Sequence, residues 1–272
     1  SAVVQKNVAY LKSLGNTFIG PAEGDLACGY QGAGRMSEPQ EIVDVVLSEK
    51  NAESLAGKKI LITAGPTFER IDPVRFIGNF SSGKMGYAIA SALAERGAEV
   101  TLVSGPVNIQ ADTRVKLIQV ESAQQMYDAC VKAFPKCHAA VMAAAVADFR
   151  PAKAADKKIK KEITGLSTIE LVQNPDILST LGKSKKSGQV LIGFALETDH
   201  EIANAREKLD NKKADVIVLN SLSDKDSGFG HDTNKITLVR KSGKPQSWPL
   251  MSKTEAASVI ADELEKLLSG KK

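Results

Sequence analysis

From residue 58 onward the apolar positions keep two alternating rhythms. Short runs of Ile, Val, Leu and Ala at 58–63, 99–103, 115–120, 139–145, 190–196 and 215–219 have strand length and are cut off by Gly, Pro or polar residues. Between them, apolar side chains recur three and four positions apart over 82–96, 123–134, 176–181, 201–213 and 253–268, the spacing of an amphipathic helix. Met85, Ala88, Ile89, Ala92 and Leu93 form one such stripe before Gly97 ends it, and Ala256, Val259, Ile260, Leu264, Leu267 and Leu268 form another. Strand alternating with helix predicts an α/β fold with a mostly parallel, Rossmann-like sheet and helices on both faces. Ligands of such sheets bind beyond the carboxyl ends of the strands. Attention therefore falls on the segments that follow Thr63, Ala145, Leu196 and Leu219.

The first fifty residues do not share this rhythm. They hold the Gly-rich run GDLACGYQGAGRM at 24–36, a helical pattern over 38–47 with Pro39 near its start, and a polar stretch over 48–57 that reads as a linker. So short a piece cannot bury a core of its own. The expected division is 1–50 and 51–272.

The connection from the first strand to the first helix of the large part is the most informative stretch. TAGPTFERIDPVRFIGNFSSGKMG, residues 63–86, is far longer than the ~2–6 residues of an ordinary strand-to-helix loop, which suggests a binding loop. Ser81, Ser82 and Gly83 would let an anion approach the unpaired N–H groups of the helix start. Two phosphate motifs nearly fit. GNFSSGKM at 78–85 follows the P-loop pattern until Met85 stands where a magnesium-binding hydroxyl is needed, and Gly65-Pro66-Thr67 does not supply the dinucleotide fingerprint. Both failures count against a P-loop and against a nicotinamide oxidoreductase.

Composition narrows the classes. With 43% hydrophobic and 25% charged residues the chain reads as an ordinary globular protein, and its net charge of +4 is mild for 272 residues. No apolar run nears the ~20 residues of a membrane span. The N-terminus lacks a signal-peptide layout, so a cytoplasmic protein without a membrane partner is expected. Cys28, Cys130 and Cys137 are odd in number and lack metal-ligand spacing, which predicts free thiols. The basic run RPAKAADKKIKK, 150–161, reads as a solvated face, a nucleic-acid contact or a lid over an anionic ligand. Only 5% of residues are aromatic and no nucleic-acid fold motif is present, so nucleic acid is not the expected partner.

Four further segments carry candidate chemistry. HAAVMAAAVADFRP, 138–151, puts small side chains where a flat group could lie against the backbone and ends its strand with Asp148, although a buried Ala-rich strand would look the same. Asn174-Pro175-Asp176-Ile177-Leu178 reads as a turn into a helix, with Asn174 as cap and Pro175 at the first helical position. Lys208 and Lys212 stand one helical turn apart and repel unless an anion lies between them. DKDSGFGHDTNKITLV, 224–239, reads as a Gly-rich turn followed by a strand. The Trp248-Pro249 pair and the helix after it look structural.

The run 63–86, the Ala-rich strand, the basic segment, the NPDI turn and the paired lysines together resemble phosphopantothenoylcysteine synthetase. In bacteria that enzyme of coenzyme A biosynthesis is usually fused to phosphopantothenoylcysteine decarboxylase. The resemblance covers most of the chain and departs at Phe68 and Phe80. It implies a ligase that activates 4'-phosphopantothenate with CTP to an acyl cytidylate and then joins it to L-cysteine. It further implies that Met142, Ala143, Ala144 and Asp148 hold the nucleotide with Pro175, Asp176, Ile177, Leu178 and Phe194. Lys208 and Lys212 would bind CTP, and Lys158 would act as the essential lysine of a flap formed by the basic segment. Asn79, whose amide both donates and accepts, suits orienting the acyl carbonyl for the cysteine amine. A triphosphate beside a carboxylate calls for Mg²⁺, with metal ligands that leave little trace in sequence. The run 24–36 resembles the clamp of the decarboxylase, with Cys28 as its proton donor, so 1–50 looks like the tail of that domain. FMN is expected only with the decarboxylase portion, whose flavin-binding part this sequence does not contain, and decarboxylation is not expected of this chain. The resemblance also implies a homodimer, and a higher oligomer with the full decarboxylase domain.

Overall fold

The computed structural model describes residues 2–25, 31–51, 53–160, 168–197, 199–221 and 231–270. The chain divides into two compact units, Ser1–Ala52 and Glu53–Lys272. In the first, helix α1 (Ala2–Ser13) precedes an antiparallel hairpin of β1 (Ala22–Asp25) and β2 (Gln31–Arg35), and helix α2 (Pro39–Asn51) follows. Helix α2 continues through 48–51, where the polar pattern suggested a linker. Helix α1 was not foreseen, because its Val3, Val4, Tyr10 and Leu11 are exposed and make no buried stripe. Cys28 lies outside the described residues.

The second unit is built on an eight-stranded sheet. Its parallel strands are β3 (Lys59–Ala64), β6 (Glu99–Ser104), β7 (Lys116–Gln119), β8 (Ala139–Met142), β11 (Val190–Glu197) and β12 (Val216–Ser221), and antiparallel β14 (Ile236–Arg240) and β15 (Gln246–Ser247) extend one edge. Across the sheet the order is β15-β14-β12-β11-β8-β3-β6-β7. Counting the parallel strands as they occur in the chain, this is the doubly wound order 3-2-1-4-5-6.

Period-two alternation assigns each strand's side chains to opposite faces. Ile60, Ile62, Val100, Leu102, Val141 and Ile192 face helices α3 (Lys84–Glu95) and α7 (Lys253–Ser269) through Ile89, Leu93, Ile260 and Leu264. Leu61, Val103, Ala140 and Leu191 face α4 (Ala123–Ala133) and α5 (Ile177–Ser184) through Met126, Cys130, Ile177 and Leu181. On that side α6 (Glu201–Asn211) packs Ala205 and Leu209 on Ile217 and Leu219, whereas Ile202 near its start is exposed. Leu55, in the stretch read as linker, is fully buried, and its N–H donates to the Arg96 carbonyl at 2.8 Å.

Two short hairpins were not visible as periodic patterns. Within the 63–86 connection, β4 (Phe68–Arg70) pairs with β5 (Phe76–Gly78), and Phe68 and Phe76 stack with centroids 3.8 Å apart. Likewise β9 (Phe149–Pro151) pairs with β10 (Leu171–Gln173). Two-residue pairings, β13 (Thr233–Asn234) with β16 (Met251–Ser252), complete the described strands.

Candidate active site

In a doubly wound sheet the loops after the first and fourth parallel strands diverge to opposite faces and leave a crevice between them. Here those strands are the neighbours β3 and β8, so the crevice is flanked by the 63–86 connection and by the Ala-rich segment. Strand β8 ends at Met142, earlier than the apolar run suggested, because residues 143–147 turn their N–H groups to the β3 side. Ala144 N–H donates to Thr63 Oγ1 at 3.2 Å, Ala145 N–H to the Gly65 carbonyl at 2.9 Å and Ala147 N–H to Thr67 Oγ1 at 3.0 Å. Both threonines are fully buried. Their hydroxyls hold a stretch of alanines that has no polar side chain of its own with which to fix itself.

The polar residues of the long connection frame the crevice. The buried Glu69 carboxylate accepts the Ala123 N–H at 2.8 Å, at the start of α4. Arg70 makes a bidentate pair with Glu121, at 2.5 and 2.8 Å. Asp72, 2% exposed, accepts the Val74 and Arg75 N–H groups at 2.8 and 2.9 Å and binds the Arg75 guanidinium. The Arg75 contact is the main reason its pKa lies well below the ordinary carboxylate value. Asp72 also accepts the Ile159 N–H at 3.2 Å, and Ala155 N–H donates to the Ile71 carbonyl at 2.9 Å. The described part of the basic segment is thus pinned to the β4–β5 turn.

Two adjoining cavities open at the crevice. One, of about 540 Å³, is lined by Met142, Ala144, Asp148, Pro175, Asp176, Ile177, Leu178, Phe194, Lys208 and Lys212, all residues singled out in the sequence. The other, of about 370 Å³, is lined by Asn79, Ala143 and residues 81–86, and shares Ala144, Asp148, Phe194 and Lys208 with the first. Lys158 lines neither cavity and is exposed, because the Asp72 and Ile71 anchors hold its segment on the hairpin. Asn174, read as a helix cap, lines the first cavity, and Asn234, within the 224–239 segment, lines the second; Thr63 and Gln173 in the first, and Lys84, Asn220 and Lys253 in the second, were not anticipated. Lys84, inside the GNFSSGKM run, was the one with a visible signal.

The NPDI turn differs in detail from its reading. Asp176, not Asn174, caps the helix, accepting the Ser179 N–H at 2.7 Å, so Pro175 precedes the cap. Asn174 serves the cavity wall: its Nδ2 donates to the Ala147 carbonyl at 2.8 Å and its Oδ1 accepts from Arg150 at 3.0 Å. The anion beside the paired lysines is the Asp176 carboxylate, which accepts from Lys212 Nζ at 2.6 Å. Burial pushes the Asp176 carboxyl up, but the Lys212 and Ser179 hydrogen bonds and the nearby ammonium charges outweigh it and leave it below its ordinary value. A depressed carboxyl keeps this pair ionised at neutral pH, and its contribution to stability is lost only as acid approaches that lowered pKa. Burial lowers the pKa of half-buried Lys208, against the pull of Glu197. In the second cavity Asn79 Nδ2 donates to the Ala145 and Val146 carbonyls at 3.0 and 3.3 Å. Gly83 caps α3 at φ 78°, a conformation that glycine tolerates, and Lys84 pairs with Asp232 at 2.5 Å.

Fold and crevice define a doubly wound, Rossmann-like α/β domain with two adjoining cavities at the switch point. Residues 55–268 match the family described as the DNA/pantothenate metabolism flavoprotein C-terminal domain. The chain belongs to this family, the phosphopantothenoylcysteine synthetase domain of the bifunctional enzyme of coenzyme A biosynthesis. It is 44% identical to the coenzyme A biosynthesis bifunctional protein CoaBC of Bacillus subtilis, over 97% of this chain and 66% of that protein. It is 51% identical, over 97% of this chain and 74% of the other, to a cysteine/cysteine sulfinic acid decarboxylase of an unknown prokaryotic organism. The crystal structure of the C-terminal domain of a CoaBC protein superposes with a TM-score of 0.69 at 43% identity, covering 80% of this chain and all of that one. A Streptococcus pneumoniae flavoprotein structure at 24% identity, TM-score 0.66, shares the fold. Among the described residues no helix is long and apolar enough to cross a membrane.

Proposed function

We propose that the chain is a phosphopantothenate–cysteine ligase. The carboxylate of 4'-phosphopantothenate attacks the α-phosphorus of CTP, pyrophosphate leaves, and the cysteine amine then displaces CMP from the acyl cytidylate to form the amide. The observation that carries this reading is the 540 Å³ cavity at the switch point, where backbone, Phe194 and two lysines meet. The Ala-rich wall offers backbone groups and room for a pyrimidine, and Lys208 and Lys212 offer charge to the phosphates. Asn79, beside the second cavity, is the positioning group for the acyl carbonyl. Lys158 reaches the phosphates by movement of its segment, which requires the Ala155 and Ile159 contacts to open.

Among the described residues no group of three or more His, Cys, Asp or Glu gathers. An ion held chiefly by phosphate oxygens and water, as Mg²⁺ commonly is, would need few protein ligands, and Asp148 is the carboxylate common to both cavities. Bound Mg²⁺ would offset phosphate charge. Flavin chemistry is assigned to the decarboxylase portion, where Cys28 would act as proton donor.

The test mixes the protein with Mg²⁺, phosphopantothenate, cysteine and each nucleoside triphosphate in turn. Release of CMP and pyrophosphate with CTP, and little turnover with ATP, is expected, and equal turnover with ATP would reject the CTP assignment. The 51% identity to a cysteine/cysteine sulfinic acid decarboxylase supports a second reading, decarboxylation of those amino acids. Release of CO₂ from either, without CMP, would favour it. Lys208→Gln and Lys212→Gln should each raise the apparent KM for CTP about tenfold with kcat less affected. Unchanged KM in both would return the lysines to a structural role.

Two predictions concern the frame. Asp72→Ala should speed hydrogen exchange at the Ile159 amide by at least about tenfold, since its carboxylate partner is lost. Equal protection would show that the flap is held elsewhere. Val74, Phe76 and Phe80 are exposed at 61, 50 and 94%, which supports a homodimer in which a second subunit covers the hairpin. Light scattering should then give about twice the 29.0 kDa chain mass, and a fully active monomer would refute the dimer.

A further inference from the structure

At the opposite end of the sheet, where β3, β6 and β7 begin, the structure holds a third cavity of about 770 Å³. It lies between the strand starts and helix α4, away from the proposed reaction. Ile118, Ala129 and Ala133 contribute an apolar floor, and five cations against two carboxylates, Glu99 and Asp128, line the walls. Two of the cations have carboxylate partners: Lys59 faces Glu99 at 3.8 Å, and Arg114 binds Asp112 at 2.6 Å. Lys116, Lys132 and Lys136 form no ion pair among the described residues. Lys132 gains from its place in the last turn of α4, near the negative end of the helix dipole. That account does not extend to Lys116, which stands on the edge strand β7. Three ammonium groups without an ion-pair partner beside an apolar floor suit an anion that carries an apolar body, and the volume is that of a small-molecule site.

We propose that this cavity binds a small organic phosphate, with the phosphate among Lys116, Lys132 and Lys136 and an apolar body on the Ile118–Ala129 floor. The site is separate from the crevice and independent of the ligase reading. Cys137 lines the same cavity, half-buried, its Sγ 3.4 Å from the Ala133 carbonyl, and so reports on occupancy.

The probe is 1-naphthyl phosphate, a phosphomonoester with an apolar ring. Calorimetry at low ionic strength should show saturable binding that weakens with salt. Alkylation of Cys137 by iodoacetamide, followed by peptide mass spectrometry, should slow about fivefold or more at saturation. In Lys116→Gln/Lys132→Gln/Lys136→Gln, all three exposed, the affinity should fall about tenfold. In Lys208→Gln/Lys212→Gln, the protection of Cys137 should persist. An unprotected Cys137, or a triple variant that binds as the parent does with an unchanged melting curve, would overturn the proposal. So would protection lost equally in the crevice variant.

Discussion

Replacing Gly105 by alanine should disable the crevice from a position outside it. A Cβ at Gly105 would lie 1.7 Å from the Pro66 carbonyl oxygen and 2.9 Å from its carbon, both backbone atoms that no rotamer change can move. Gly105 is buried at the end of β6, and its own N–H donates to the Ala64 carbonyl at 2.9 Å, so it cannot retreat without breaking the sheet register. Pro66 must shift instead. Pro66 bridges Ala145, and the Ala145 N–H is held by Gly65, so the displacement passes to the wall of both cavities. Overpacking of this kind costs about 1–3 kcal/mol and more where backbone is trapped. The variant should therefore unfold at a lower urea concentration and, on the proposed function, lose measurable CTP binding. If the urea midpoint and the CTP affinity both match the parent, the loop after β3 does not position the crevice. Destabilisation with full affinity would confine Gly105 to a packing role.

Asn79→Asp should stop the reaction between its two halves. The Asn79 amide donates to the Ala145 and Val146 carbonyls, and an ionised carboxylate can donate to neither. The substitution keeps the side-chain shape while setting a negative charge against two carbonyl oxygens and beside an anionic intermediate. On the proposed reaction, acyl-cytidylate formation should persist and attack by the cysteine amine should slow by about a hundredfold or more, the scale of losing one preorganised polar contact. Rapid-quench mass spectrometry should then find the acyl cytidylate accumulating. Lys158→Gln should behave in the opposite way, with no intermediate, because a cation is needed as pyrophosphate departs. Intermediate in the lysine variant but not in the asparagine variant would mean that the two roles are exchanged.

The sheet and most helices could be read from local pattern, because burial on a regular element repeats every 2 or 3.6 residues and leaves that period in the sequence. The runs 99–103 and 190–196 correspond to β6 (Glu99–Ser104) and β11 (Val190–Glu197), and the helical stripe over 253–268 to α7 (Lys253–Ser269). Elements without a buried stripe escaped, as α1 with its exposed apolar residues shows. The β4–β5 hairpin escaped because three-residue strands are too short to show a period, and its order comes from contacts made elsewhere in the chain, such as Arg70 with Glu121.

The candidate site divides along the same physical line. Residue types and spacing were enough to nominate Asp148, the Pro175–Leu178 turn, Phe194, Lys208 and Lys212, since each carries its chemistry in its own side chain or immediate neighbours. Their convergence on one cavity depends on strand order, which no local pattern encodes. The same holds for the partners that decide what each group can do. Lys212 meets Asp176 from 36 residues away, and Asn79 meets Ala145 from 66. Thr63 and Thr67 look like unremarkable polar positions until the fold brings them under the N–H groups of Ala144 and Ala147. Lys158 shows the converse: its basic neighbourhood is plain in the sequence, but Asp72 and Ile71 set where that segment rests, through hydrogen bonds between residues more than eighty positions apart.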